Sequence, residues 1–548
     1  MLRPGALTGS PARRSIVYWT LSAGLVASLA PLLAGPGRLV ALVENDRGLP
    51  FALAALLAAL AIGAGGLQLE EIPVARGLRL LWRRAEEHPV ASPGVGVAAA
   101  ATLLAFGALR RHDALRSSAF DLGIFDQVVW EVSHGHGLHS SLKGGSILGD
   151  HFEPVLWFLG PLARLSAGPS PLLWLQAAAL ASAAVPLHLL AHRRFGAGPL
   201  PWVLSLALLL YLPLRSMALL DFHPEALAVP ALLWACFALD AGVPWLFWAG
   251  LVLAALCKES GFLGAFGVGA AAFFSGHRRQ GALAMGLSGA GFLLVVGWVI
   301  PHFRGGANAY VGERYGYLSG GSLAGLVAAP FVHPWLCLRG LVWPPRKLEY
   351  LARLFGPLAL APLFRPRWIL AMAPLLAMNL LADYPLSQSI HTQYNAELIA
   401  LIFAASIDGL AWGLPRLRLS PERASLGLLC LSLALYGSGE PFEQIGTPIS
   451  QRAIRIVRSL ESIPADAAVA AQLDLLPHVA HRDQLTLLPA LGSAEYAAFD
   501  LAQPLPRWNG TAEENQALLA RLLASGWKRI DGGAGDGYLL LRRPPAPP

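Results

Sequence analysis

Charge is what this chain has least of. Of its 548 residues only 14% are Asp, Glu, Lys or Arg, while 55% are hydrophobic; a soluble domain carries roughly 25% charged residues. That excludes a single water-soluble globule, because there is too little polar surface to cover so much apolar side chain. Cysteine is scarce too. Cys236, Cys257, Cys337 and Cys430 lie in or beside apolar runs, with no Cys-x-x-Cys spacing. They read as small packing residues, and neither a disulfide framework nor a zinc ribbon is expected. No nucleic-acid partner is expected either. The net charge of +7 reflects arginines at the ends of apolar runs, where membrane proteins keep them on the cytoplasmic side. No internal repeat is visible.

What is present is a succession of apolar runs, most of them close to the 17–25 residues that match the hydrocarbon core of a bilayer. Helices satisfy their own backbone hydrogen bonds there, so the fold class is mainly α, a polytopic transmembrane bundle of about 13 spans. The expected spans are 16–35, 49–66, 94–110, 170–191, 199–215, 225–240, 244–257, 260–275, 281–301, 322–338, 367–383, 395–413 and 423–438. Arg3, Arg13 and Arg14 precede the first run as in a signal peptide, but its length and the spans that follow favour a retained helix. The basic groups fall in alternate loops: Arg76–Arg84, His192–Arg194, His277–Arg279, then Arg339, Arg346, Lys347 and Arg353, then Arg416–Arg423. This puts them and the N-terminus in the cytoplasm of a cell (plasma) membrane protein. The loops at 111–169, 216–224, 258–259, 302–321 and 384–394 then face outward. Residues 154–166, broken by Pro154 and Pro161, and residues 350–364 read as interfacial segments rather than full spans.

Three regions follow: 1–93, a two-span extension with a cytoplasmic loop; 94–438, the main transmembrane domain; and 439–548, a small outward-facing α/β domain. In the last, 451–462 has amphipathic spacing. Residues 467–472, 484–488 and 496–501 read as strands, 513–525 as a helix with acids in its first turn, and 527–530 with 537–542 as a hairpin. The glycine-rich 532–537 lies between two strands with no helix after it, so it is a turn rather than a phosphate loop.

Acids and imidazoles gather in a few outward clusters. FDLGIFDQ at 120–127 contributes Asp121, Asp126 and Gln127. GDHFEP at 149–154 contributes Asp150, His151 and Glu153. DFHPE at 221–225 contributes His223 and Glu225, and Lys258 and Glu259 separate two apolar runs. Asp121 is either a helix cap or a general base. Asp126, five positions on, would not share its helix face. Asp150, His151 and Glu153 suit a helix start, a proton relay or a divalent ion. Pro224 with Asp221 signals a helix start, which accounts for both but leaves His223 to function. Lys258 and Glu259 are costly so near hydrocarbon unless paired or functional. Arg304 and Arg314, among Tyr310, Tyr315 and Tyr317, suit a phosphate. His391, Gln393 and Tyr394 offer substrate contacts or caps. The trio His134, His136 and His139 is spaced by flexible glycines and reads mainly as a solvated loop.

These clusters, with IPADA at 463–467, LLPH at 475–478 and His481-Arg482, resemble the membrane family DUF2079 from about Leu103 to Pro489. That family is similar in architecture to the GT-C class of membrane glycosyltransferases. The resemblance implies a sugar moved from a polyprenyl-phosphate donor in the bilayer to an extracytoplasmic acceptor. It also implies an acidic residue in the first large outward loop, a place Asp121 matches. Asp126, His223 and Glu225 join it as catalytic candidates. Gln127, His151, Lys258, Glu259, Arg304, Arg314, His391, Gln393 and Tyr394 are substrate-binding candidates. No adjacent acidic pair stands beside Asp121, so the base and the metal dependence both stay open. A divalent cation, magnesium or manganese, would be held among Asp121, Asp150, His151 and Glu153. A transporter or lipid flippase, or a non-catalytic scaffold, are the alternatives.

Overall fold

A computed structural model describes residues 91–436, 445–502, 511–533 and 537–545. The expected spans at 16–35 and 49–66 lie outside the described residues. The chain is mainly helical. Helix α1 (Ala91–Asp113) leads into a five-residue π-turn, Ala119–Gly123, and α2 (Ile124–Ser133). Then come α3 (Ser170–Ser182), α4 (Ala184–Phe195), α5 (Pro199–Leu210), α6 (Leu212–Leu219), α7 (Ala228–Ala241), α8 (Pro244–Cys257) and α9 (Glu259–Phe274). Proline opens α5 and α8, where its missing N–H costs nothing. Gly242 ends α7 in the left-handed conformation (φ +72°). Lys258, with extended backbone (φ −168°), breaks α8 from α9.

Among the described residues, five helical segments are long and apolar enough to cross a bilayer: Gly94–Asp113, Ser170–Phe195, Pro224–Ala241, Arg278–Arg304 and Gln393–Leu417. Two bent pairs bring this to seven at most, and several shorter apolar helices lie beside them. Of the thirteen expected spans eleven fall among the described residues, and length and composition support at most seven there.

The segment expected to span at 322–338 is bent back on itself rather than straight. Helix α10 (Arg278–Leu294) continues to Arg304, followed by α11 (Ala309–Ser319), α12 (Leu323–Val332) and α13 (Pro334–Val342). The chain bends by 91° where α12 meets α13. Tyr317 donates to the Leu381 carbonyl (2.9 Å), and Lys347 Nζ to the Gly340 carbonyl (2.7 Å). Tyr317, Arg339, Arg346, Lys347 and Asp383 line one open basin. The hairpin thus returns to the end it left, with Phe331, Trp335 and Trp343 highly exposed. Arg339, Arg346 and Lys347, expected on the cytoplasmic side, stand at the same end as Asp383.

Residues 346–364, which include the interfacial segment expected at 350–364, lie along a helix of spanning length. Helix α14 (Arg346–Phe355) and two short 3-10 turns run the length of α16 (Ala396–Leu417), which follows α15 (Pro366–Leu381). Tyr350 donates to Asn395 (2.8 Å) at the start of α16, and Ala361 packs on Gly409 near its far end. A Cβ on Gly409 would sit 1.9 Å from the Ala361 carbonyl oxygen, a backbone atom that cannot step aside. Gly409→Val should therefore lower stability by about 1–3 kcal/mol or more through overpacking, read as a lower Tm in detergent. At that far end Arg193 and Arg194 pair with Asp240, and Arg367 with Asp408.

After α17 (Pro421–Tyr436) the chain forms α18 (Gln451–Glu461) and a five-stranded sheet. The order is β2 (Leu485–Leu487), β1 (Val469–Ala471), β3 (Tyr496–Asp500), β5 (Tyr538–Arg542), β4 (Lys528–Gly532). The β1 pairings are parallel and the β5 pairings antiparallel. One face buries apolar side chains of α18 together with Leu115 and Ala119 of the loop after α1. The other buries Leu518 and Leu522 of α19 (Ala512–Ala524), which begins with a Thr511–Glu514 capping box. The His112 and His478 rings stack at 4.0 Å. The sheet is therefore docked on the loop that carries Asp121.

Candidate functional site

The turn after α6 organises the first part of the site. Gln176, buried in α3, donates to the carbonyls of Met217 (2.9 Å) and Asp221 (3.1 Å), and its amide oxygen accepts from the His223 backbone (2.8 Å). Asp221 in turn accepts from Arg111 (2.9 Å) and the Ser118 backbone (2.6 Å). The turn and the Asp121 loop are so fastened together. His223 Nδ1 lies 2.7 Å from the Asp221 carbonyl and its Nε2 3.3 Å from Asp121 Oδ1. A carbonyl only accepts, so Nδ1 carries a proton, and Nε2 faces a carboxylate. Burial acts to lower the His223 pKa, but the Asp121 carboxylate outweighs it and raises it above the ordinary imidazole value. The same pairing overcomes burial at Asp121 and holds its carboxyl below the usual range. Asp121 keeps 40% of its side chain exposed, so its second oxygen stays accessible.

The second part lies where α8 meets α9. Buried Lys258 is 2.7 Å from Glu225 and 3.9 Å from Glu153, whose carboxylate is wholly buried without a hydrogen-bond partner. Glu259 accepts from the Phe152 backbone (3.1 Å) and lies 2.8 Å from His151 Nδ1. Ser260 donates to Glu397 in the first turn of α16 (2.7 Å). The His151 ring stacks on Tyr310 at 4.7 Å, and Tyr310 donates to Asp150 (2.8 Å), which also pairs with Lys143. Burial raises the Asp150 carboxyl, but His151, Lys143 and the Tyr310 hydroxyl prevail and bring it down to about 2.

Above these groups Arg314 is held among three tyrosine rings, with Tyr310, Tyr384 and Tyr394 centred 4.7, 4.6 and 5.2 Å from its guanidinium carbon. It donates to the Tyr394 hydroxyl (3.1 Å). Such stacking fixes the guanidinium without using its full set of donors.

These elements enclose a cavity of about 310 Å³. One wall is polar, with His151, Glu225, Lys258, Glu259, Arg314 and Tyr394. The other is apolar, with Leu263 from α9, Phe292 from α10, Val296 just after it, and Leu323, Leu326 and Pro330 from the bent hairpin. Gln393 also lines it.

The structure thus brings His151, Glu225, Lys258, Glu259, Arg314, Gln393 and Tyr394 to one hollow, with Glu153 behind Lys258 and the Asp121–His223 pair beside Glu225. The other candidates lie elsewhere. Asp126 is buried 3.1 Å from His481. Gln127, fully buried, accepts from Ser140 (2.8 Å) and donates to Ser141 (2.8 Å) and the Arg482 carbonyl (3.0 Å), a tie between loop and sheet. Arg304 is exposed outside the cavity, and His391 Nδ1 lies 3.3 Å from Ser216 Oγ. The four residues considered for a cation do not converge. Asp121 holds His223, Asp150 holds Lys143, His151 holds Glu259, and Glu153 faces Lys258. Sequence reasoning missed Gln176 and Glu397. Each is a polar side chain set in an apolar run, and that isolation is the signal that could have found them.

Solved structures similar to the chain include two of one protein. Both are ArnT from Cupriavidus metallidurans, one in the apo state and one bound to undecaprenyl phosphate, with 14% and 13% identity and TM-scores of 0.48 and 0.47. Each alignment covers 82% of this chain and 97% of the other. A likeness so distant says nothing of substrate. No curated protein matches. The family of predicted membrane proteins DUF2079, by contrast, matches residues 111–539, from the end of α1 to the start of the last strand. This chain, with its cavity and its docked sheet, belongs to that family.

Proposed function

We propose that the cavity binds a polyprenyl-phosphate-linked sugar and that the protein transfers the sugar to an acceptor on the extracytoplasmic face of the plasma membrane. One observation carries the reading: a single cavity joins a charged wall to an apolar one, and the apolar wall is built partly by a hairpin whose outer side chains are exposed. A lipid phosphate has that same division. Its tail belongs with Leu263, Phe292 and Leu326, and its headgroup with Arg314. Lys258 is already neutralised by Glu225, which leaves the caged Arg314 as the phosphate ligand. The arginines paired with Asp240 and Asp408 at the far end suit the cytoplasm, and the sheet then lies outside.

In the transfer the acceptor hydroxyl attacks the anomeric carbon while the bond from that carbon to the phosphate oxygen breaks. The electron pair leaves with the phosphate, where Arg314 offsets the growing charge. The hydroxyl proton passes to Asp121, which His223 keeps ionised and oriented. The cation candidates fit no shared metal, and no step here uses one.

A transporter or flippase is a second reading, favoured by Lys258, Glu225, Glu153 and Glu397, all buried at the ends of apolar helices. The protein in nanodiscs, given a lipid extract and candidate acceptors, separates the two by mass spectrometry: a sugar-sized mass gained by an acceptor supports transfer. Movement of lipid across sealed vesicles with no covalent change supports transport. Arg314→Ala should weaken polyprenyl-phosphate binding about 10- to 100-fold, as expected for hydrogen bonds to a charged group worth 1.5–3 kcal/mol. Unchanged binding would remove Arg314 from the headgroup site.

A further inference from the structure

We propose that Glu131, His136, His139 and Asp483 form a binding site for a divalent transition ion, zinc by its donor set, which joins the first loop to the C-terminal sheet. The site is apart from the cavity and has no part in the transfer proposed above. Glu131 lies on α2, with a side chain only 3% exposed. Its two oxygens face two imidazoles: Oε2 is 2.5 Å from His136 Nδ1, and Oε1 is 3.7 Å from His139 Nδ1. Asp483 comes from the far side of the fold, just before β2, and its Oδ1 is 3.8 Å from the same His136 nitrogen. One donor atom each from Glu131, His136 and Asp483 lie within 4.8 Å of one another. Ligands about 2.0–2.2 Å from a tetrahedral zinc stand roughly 3.4 Å from one another, so the ion would replace the His136–Glu131 hydrogen bond and draw Asp483 slightly inward, shifts that the exposed His136 and Asp483 side chains, 53% and 66% accessible, leave room for.

Charge and support favour the ion. Two carboxylates meet here, and among the described residues neither pairs with a lysine or arginine; neighbouring Arg482 spends its guanidinium on the carbonyls of Val479, Pro464 and Ala467. Neutral imidazoles then leave a formal charge matched to one divalent cation. Imidazole with carboxylate suits zinc better than magnesium or calcium, which take oxygen. The backbone is prepared as well. Gly135 and Gly137, both in the left-handed region (φ +85° and +81°), turn the chain so that His136 faces back to Glu131. Gln127 and Ser141 then hold the loop to 482–485: Gln127 donates to the Arg482 carbonyl (3.0 Å), and Ser141 Oγ accepts from the Leu485 backbone (2.8 Å). Such outer hydrogen bonds hold ligand-bearing segments in place.

The test uses the full chain without a histidine tag, stripped by chelator and titrated with zinc. One equivalent should bind, and cobalt in its place should give the absorption of a tetrahedral site. His136→Ala should weaken zinc binding at least tenfold and remove that absorption. Asp483→Asn, on a side chain 66% exposed, should do the same to a lesser degree. Chelator should also speed tryptic release of the C-terminal region in the wild type but not in His136→Ala. A wild type that retains no zinc, or an Asp483→Asn protein that binds it as tightly as the wild type, overturns the site.

Discussion

Asp121→Asn should cost transfer about 10²–10⁴-fold, the usual worth of general-base assistance, while donor binding stays as it was. Asparagine keeps the shape of the side chain and loses its ability to take a proton. Of the two acids in the FDLGIFDQ motif, Asp121 has the exposure a base needs: its side chain is 40% exposed, whereas Asp126 is 3% exposed and tied to His481. The substitution also separates base from ion-pair partner through pH. The Asp121 pKa is lowered from 3.8, so its share of stability is present above 3.8 and is lost as pH falls through the lowered value. The His223 pKa is raised from 6.5, so its share is full below 6.5 and is lost as pH rises through the raised value. The stability gap between wild type and Asp121→Asn should therefore be widest between pH 3.8 and 6.5 and narrow on either side. Full activity of the variant in a reconstituted assay would remove Asp121 from the chemistry.

Lys258→Met should be the most damaging single change to stability. It leaves Glu225 and Glu153, 2% and 0% exposed, without their cation, and stranding a buried charge costs roughly 3–5 kcal/mol. Adding Glu225→Gln should restore part of that loss, because the second variant removes the charge the first one stranded. Thermal unfolding in one detergent compares the three proteins. A single variant as stable as the wild type would mean that these carboxylates are protonated and that Lys258 compensates nothing.

What could be read in the sequence was mostly a matter of ends. The DFHPE and Lys-Glu clusters lie at the junctions of apolar runs, and helices of bilayer length carry such junctions to the same level, so Glu225 meets Lys258. Which acid meets which base depends on the rotation of each helix about its axis, and composition is silent on that. Asp126 and Gln127 stood in the most distinctive motif and were read as site residues. Their partners, His481 and Arg482, lie some 355 residues further on, and only the return of the C-terminal segment shows that they bind the sheet. The hairpin failed for another reason. Residues 322–338 are as apolar as a span, and the basic residues after them score as cytoplasmic by count. The 91° bend and the bond from Lys347 to the Gly340 carbonyl are invisible to that count. Glu397 was passed over because one acid hardly alters the average of a long apolar window.

That hairpin has a consequence for how such a protein can diverge. A crossing segment cannot be lost without inverting every segment after it. Helices α12 and α13 leave and rejoin the same end of the helical bundle, so they can lengthen, shrink or change sequence while the rest of the topology stays put. Because they also supply Leu323, Leu326 and Pro330 to the cavity, the greasy side of the chamber is the part most easily retailored to a different lipid, with the charged side left intact.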